Sequence, residues 1–138
     1  MKIEIMVVLW TESYSVNIEE LDRQYKKLFE MFNNFEHMMQ FKLGSSPIMT
    51  IVSEMKRYAL MHFACEEKIM QDRCYNEIDY HKAKHKEFQN KFIFYEDKLF
   101  KGRAILPNEI SDFLQNWLIT HILEEDKGYV EFYKTTKI

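Results

Sequence analysis

Apolar residues recur at alternating steps of four and three along four long segments of this chain, and only three short polar stretches break that rhythm. Such a pattern gathers the apolar side chains on one face of a helix, and faces this long must be buried against other helices. The first segment, about residues 19–41, carries Leu21, Tyr25, Leu28, Phe32, Phe35 and Met39 on that face. The second, about 47–72, carries Ile48, Ile51, Met55, Tyr58 or Ala59, His62, Glu66 and Ile69. His81, His85, Phe88, Phe92, Tyr95 and Leu99 follow in the third, about 79–101. The fourth, about 108–133, has Ile110, Phe113, Leu114, Trp117, Leu118, His121 and Glu125.

The breaks are equally specific. Gly44-Ser45-Ser46-Pro47 reads as a turn with Ser46 as N-cap and Pro47 at the first helical position. A polar link runs from Arg73 to Asp79, with Asp79 as the next N-cap, and Gly102 to Pro107 separates the last two segments. Three Gly and two Pro leave too few turn positions for an all-β chain. Short connections between helices of similar length favour antiparallel neighbours. The expected fold is therefore all-α, an up-down-up-down four-helix bundle behind an N-terminal arm (residues 1–18), in a single domain over residues 1–138.

The net charge of −3 is spread along the chain with no basic run, which argues against nucleic acid and against an anionic membrane surface. The apolar run Ile5 to Trp10 is too short for a secretory signal core or a bilayer span, so the expected location is cytoplasmic. Cys65 and Cys74 would lie about 13 Å apart along one helix, beyond the roughly 7 Å that a disulfide bridges. They read as free thiols in no zinc-binding spacing.

In an alternating bundle the starts of helices one and three lie beside the ends of helices two and four. Tyr25, His81 and His85 fall at such starts, and His62, Glu66 and His121 near such ends, so every polar break in the stripes lies in one half of the bundle. Buried imidazoles and carboxylates are costly unless paired or ligated. One core histidine is usually structural, and one i, i+4 pair is ambiguous. Four seam histidines on three helices at one level, with a carboxylate, point to a cation. Imidazole and carboxylate without thiolate suit iron, manganese or zinc in a bundle interior. His37, about 18 Å along the helix from Tyr25 and off the seam, reads as a surface residue.

The ordered set of Trp10, Val16 and Asp22-Arg23-Gln24, then His62-Phe63-Ala64-Cys65-Glu66-Glu67, His81-Lys82-Ala83-Lys84-His85, and Trp117-Leu118-Ile119-Thr120-His121 with Asp126 beyond, resembles the hemerythrin family over nearly the whole chain. Members of that family are standard examples of this bundle architecture. The resemblance implies two non-haem iron ions. His81, His85 and His121 would hold one, and His62 with the residue at position 25 the other. Glu66 and Asp126 would bridge them along with an oxo or hydroxo group. Periodicity alone prefers Glu125, at i+4 from His121; Asp126 reaches inward only if the helix loosens, as at a π-bulge. Leu118 and Ile122 resemble the family's apolar pocket around the oxygen-binding iron, and Trp117 either joins that pocket or packs the core.

The implied function is reversible binding of dioxygen, or another small diatomic, by a monomeric carrier or sensor rather than an enzyme. The alternative is a di-iron enzyme or redox protein that reduces oxygen, peroxide or nitric oxide. Iron storage, or a bundle that has lost its metal, is a third possibility. What separates these readings is Tyr25, which stands where the family has histidine. It is a core aromatic, or it ligates iron as phenolate, or it stands off and donates a hydrogen bond to a bound oxygen species. A phenolate ligand would favour ferric iron and hasten autoxidation.

Overall fold

The computed structural model describes residues 9–40, 45–101 and 107–122, together with residues 128, 131 and 132. Among these residues the secondary structure is helical throughout, in four main elements: α1 (Glu19–Gln40), α2 (Ser45–Asp72), α3 (Ile78–Phe100) and α4 (Pro107–Thr120). The chain turns π-helical at residues 121–122. No helix among them is long and apolar enough to cross a membrane.

Cross-helix contacts give the direction of each helix. The start of α1 meets the end of α2, where Tyr25 touches Glu66 and Glu20 touches Cys65. Along α2 and α3 the partners run in opposite senses: Lys56 pairs with Glu96, and Glu66 with His81. Phe88 packs against Trp117 with tilted rings, while Tyr95, farther along α3, meets Phe113, farther back on α4. Each helix is thus antiparallel to the next, and the molecule is an up-down-up-down four-helix bundle.

Tyr25, Phe32 and Phe35 from α1, Val52, Met55, Ala59 and Phe63 from α2, Phe88 and Phe92 from α3, and Leu114 and Leu118 from α4 fill the core. Ahead of α1, a single 3₁₀ turn at Glu12–Tyr14 lays Trp10 and Tyr14 against Phe29, with ring centroids 5.7 and 5.0 Å away. The Asp22 carboxylate ties this arm down. It accepts hydrogen bonds from the Ser15 hydroxyl at 2.6 Å and the Val16 amide at 2.8 Å. Asn17 adopts a left-handed φ of 60° inside that loop, a conformation asparagine tolerates better than most residues.

Two helix starts differ from expectation. α2 begins at Ser45, so Ser46 is inside the helix instead of capping it, and Pro47 sits at the third position. Proline is still tolerated there, because amides in the first turn have no intrahelical acceptor. α3 begins at Ile78, which makes Asp79 a first-turn residue whose negative charge faces the positive end of the helix dipole. α2 closes in a Schellman motif: the Tyr75 amide donates to the Met70 carbonyl at 2.9 Å, and the Cys74 amide to the Gln71 carbonyl at 3.1 Å. Cys74 occupies the left-handed position, with φ of 56°. That ending buries Met70 and Tyr75 together and leaves Ile69, the residue expected on the seam, only half-buried.

Candidate metal centre

The seam residues that broke the apolar pattern converge. Glu66 is fully buried, and its two carboxylate oxygens organise the group. Nε2 of His81 lies 2.7 Å from Oε1, Nε2 of His85 3.0 Å and Nε2 of His121 3.3 Å. On the other oxygen, the Tyr25 hydroxyl donates a hydrogen bond of 2.5 Å to Oε2, and Nε2 of His62 stands 3.1 Å away. The four donor atoms of Glu66, His81, His85 and His121 all lie within 4.8 Å of one another.

Hydrogen bonding within the protein does not satisfy this cluster. A carboxylate oxygen has two lone pairs, yet three imidazole nitrogens point at Oε1. His85 and His121 face each other Nε2 to Nε2 at 3.2 Å. His62 donates its Nδ1 proton to Oε1 of Gln24 at 2.7 Å, so in the neutral ring Nε2 is the lone pair that faces a carboxylate oxygen. That buried nitrogen has no hydrogen-bond partner among the described residues. A cation would turn every one of these lone pairs into a ligand, so the residues fit a metal of the imidazole- and carboxylate-binding class.

Burial works to raise the Glu66 pKa, but the imidazoles of His62, His121 and His81 outweigh it and hold the carboxyl well below its usual range. Burial also lowers the pKa of His85, against the pull of Glu66, so that imidazole favours its neutral, metal-binding form. Aromatic rings hold the imidazoles in place. Phe63 stacks on His85 at 4.0 Å and Trp117 on His121 at 4.6 Å, while Tyr25 meets His62 edge-on at 4.5 Å. Trp117 therefore packs directly on a cluster residue, a contact that neither expectation for it had specified.

One helical turn from the cluster, the same four helices contribute Leu28, Ala59, Phe88 and Leu118. With Phe32, Met55, Phe92, Leu114 and Trp117 they line a wholly apolar cavity of about 20 Å³. Ile122, beside His121, is fully buried. Asp126 and Glu125 lie outside the described residues. His37 is exposed, as expected, and Cys65 and Cys74 are free thiols.

Two contacts were not anticipated. Gln24 fixes the tautomer of His62, and the Glu67 carboxylate sits 3.4 Å from Nδ1 of His85, too poorly aligned for a hydrogen bond. Both residues stood in stretches that carry the family resemblance, Asp22-Arg23-Gln24 and His62 to Glu67, but neither had been given a role.

Comparison with known proteins agrees with this geometry. The family model described as "Hemerythrin HHE cation binding domain" matches residues 16–133. Bacteriohemerythrin of Pseudomonas aeruginosa (strain LESB58) is 31% identical over 124 residues, which cover 90% of this chain and 80% of the relative. Bacteriohemerythrin of Clostridium acetobutylicum (strain ATCC 824) is 30% identical, covering 89% of this chain and 98% of the relative. A solved structure of wild-type hemerythrin superposes with a TM-score of 0.84 at 28% identity, covering 91% of this chain and 97% of that one. With its bundle, its buried histidine–glutamate cluster and a family match that runs nearly from end to end, this chain belongs to the hemerythrin family.

Proposed function

We propose that this chain holds two iron ions and binds dioxygen reversibly, as a single hemerythrin-like domain acting as a monomer in the cytoplasm. The observation that carries the reading is the set of four imidazoles around one buried carboxylate, with Nε2 of His62 making no hydrogen bond among the described residues. His81, His85 and His121 would hold one iron, and His62 would hold the other with Tyr25 beside it. Glu66 stands between them, and Asp126 is the proposed second bridge. Ferrous iron held there would supply the electrons for dioxygen binding.

The side chains around the site do the rest. Gln24 keeps the His62 proton on Nδ1, and Leu118, Ile122 and Trp117 keep water away, as the apolar layer at Leu118 supports. One observation favours the enzyme reading instead. Tyr25 holds an O–H 2.5 Å from Glu66, a proton source inside a pocket where a carrier excludes protons.

Stopped-flow mixing of reduced, iron-loaded protein with oxygen tests the proposal. An absorption band that forms with oxygen and disappears under vacuum supports carriage. Direct passage to the oxidised state supports turnover and overturns the carrier reading. Tyr25→His raises oxygen affinity and slows oxidation if position 25 is the missing ligand.

A further inference from the structure

The two oxygens of Glu66 face unequal surroundings. Three imidazoles meet at Oε1, each within 3.3 Å, and ring stacking orients two of them. At Oε2 the described residues offer one imidazole, that of His62, and the Tyr25 hydroxyl, which donates to the same oxygen. Tyr25 is itself fully buried beside His62 and fills the space where a second nitrogen ligand would stand. A histidine there would present a lone pair to a cation. Tyrosine spends its hydroxyl proton on the carboxylate and offers the cation no nitrogen.

We infer that the two metal positions are filled unequally: His81, His85, His121 and Glu66 hold one divalent cation on their own, while the His62 side holds a second far more weakly because position 25 supplies no nitrogen ligand beside His62. The inference rests on the metal-site reading above and adds an order of filling to it. Asp126, as a bridge, would contribute to both positions alike and does not remove the asymmetry. Three imidazoles and a carboxylate make a complete four-donor set for cobalt, zinc or ferrous iron. One imidazole and a shared carboxylate oxygen do not. The second cation therefore binds at least about 100-fold more weakly than the first, the upper end of what losing even an outer hydrogen-bond partner costs a metal site.

The test uses cobalt(II) alone, added anaerobically to metal-free protein, and needs no oxygen chemistry. Visible absorption follows binding, and cobalt is counted after desalting. Wild type and Tyr25→Phe each retain one equivalent, with the second lost on the column, and Tyr25→His retains two. Two equivalents held with equal affinity by wild type overturn the inference and leave the metal centre standing. One equivalent in a folded Tyr25→His protein, checked by circular dichroism, overturns the role given to Tyr25. No cobalt retained by wild type overturns the inference and the metal-site reading together.

Discussion

The Tyr25 hydroxyl and the Glu66 carboxylate are joined by a hydrogen bond of 2.5 Å across the α1–α2 interface, with both side chains fully buried. A bond to a charged acceptor contributes about 1.5–3 kcal/mol. Tyr25→Phe keeps the ring and removes the bond, so metal-free protein should lose about that much stability in urea unfolding. The iron-loaded, oxidised protein should lack a phenolate-to-iron band, and the substitution should leave its visible spectrum unchanged.

Gln24 reaches the cluster through His62 and decides which imidazole nitrogen carries the proton. Gln24→Ala frees that choice. It should weaken the second cobalt equivalent by about 10–100-fold and leave the first unaffected, as read by titration of the visible bands.

Leu118 closes the apolar layer next to the cluster. Leu118→Ala enlarges that cavity and should cost about 2–5 kcal/mol in unfolding free energy. Water then gains entry, and the reduced, iron-loaded protein should oxidise faster in air, as followed by the rise of its oxidised-state absorption.

Asp22 holds the arm through two hydrogen bonds. Asp22→Ala should destabilise the protein by about 1–3 kcal/mol, and limited proteolysis should cut residues 9–17 sooner than in wild type.

Cys74 is an exposed residue in the left-handed conformation that usually takes glycine. Relief of its backbone strain, partly offset by the greater freedom of unfolded glycine, should make Cys74→Gly more stable by about 0.5–1 kcal/mol. The melting temperature should rise by roughly 2–4 °C.

The sequence made the helices and the level of the cluster legible because both depend on local periodicity. Spacing of i, i+4 puts His62 with Glu66 and His81 with His85 on shared faces, and the antiparallel order brings those faces to one depth. The partner of Tyr25 was not legible. Whether its hydroxyl reaches Glu66 or stops short depends on the register and separation of α1 and α2, which no residue pattern encodes. The same holds for Gln24, whose reach to His62 crosses two helices. The ending of α2 was hidden for another reason: Schellman motifs are recognised by glycine, and here the position holds Cys74.

The tight ending of α2 has a bearing on how the centre is assembled. Residues 73–77 join α2 to α3 directly, so His62, Glu66, His81 and His85 all belong to one helical hairpin and are near neighbours in sequence. A chain whose fourth helix has swung away still offers the first ion two imidazoles, His81 and His85, and the Glu66 carboxylate on that hairpin. Metal capture can therefore precede closure of the bundle, with His121 arriving last and the ion drawing the final helix into place.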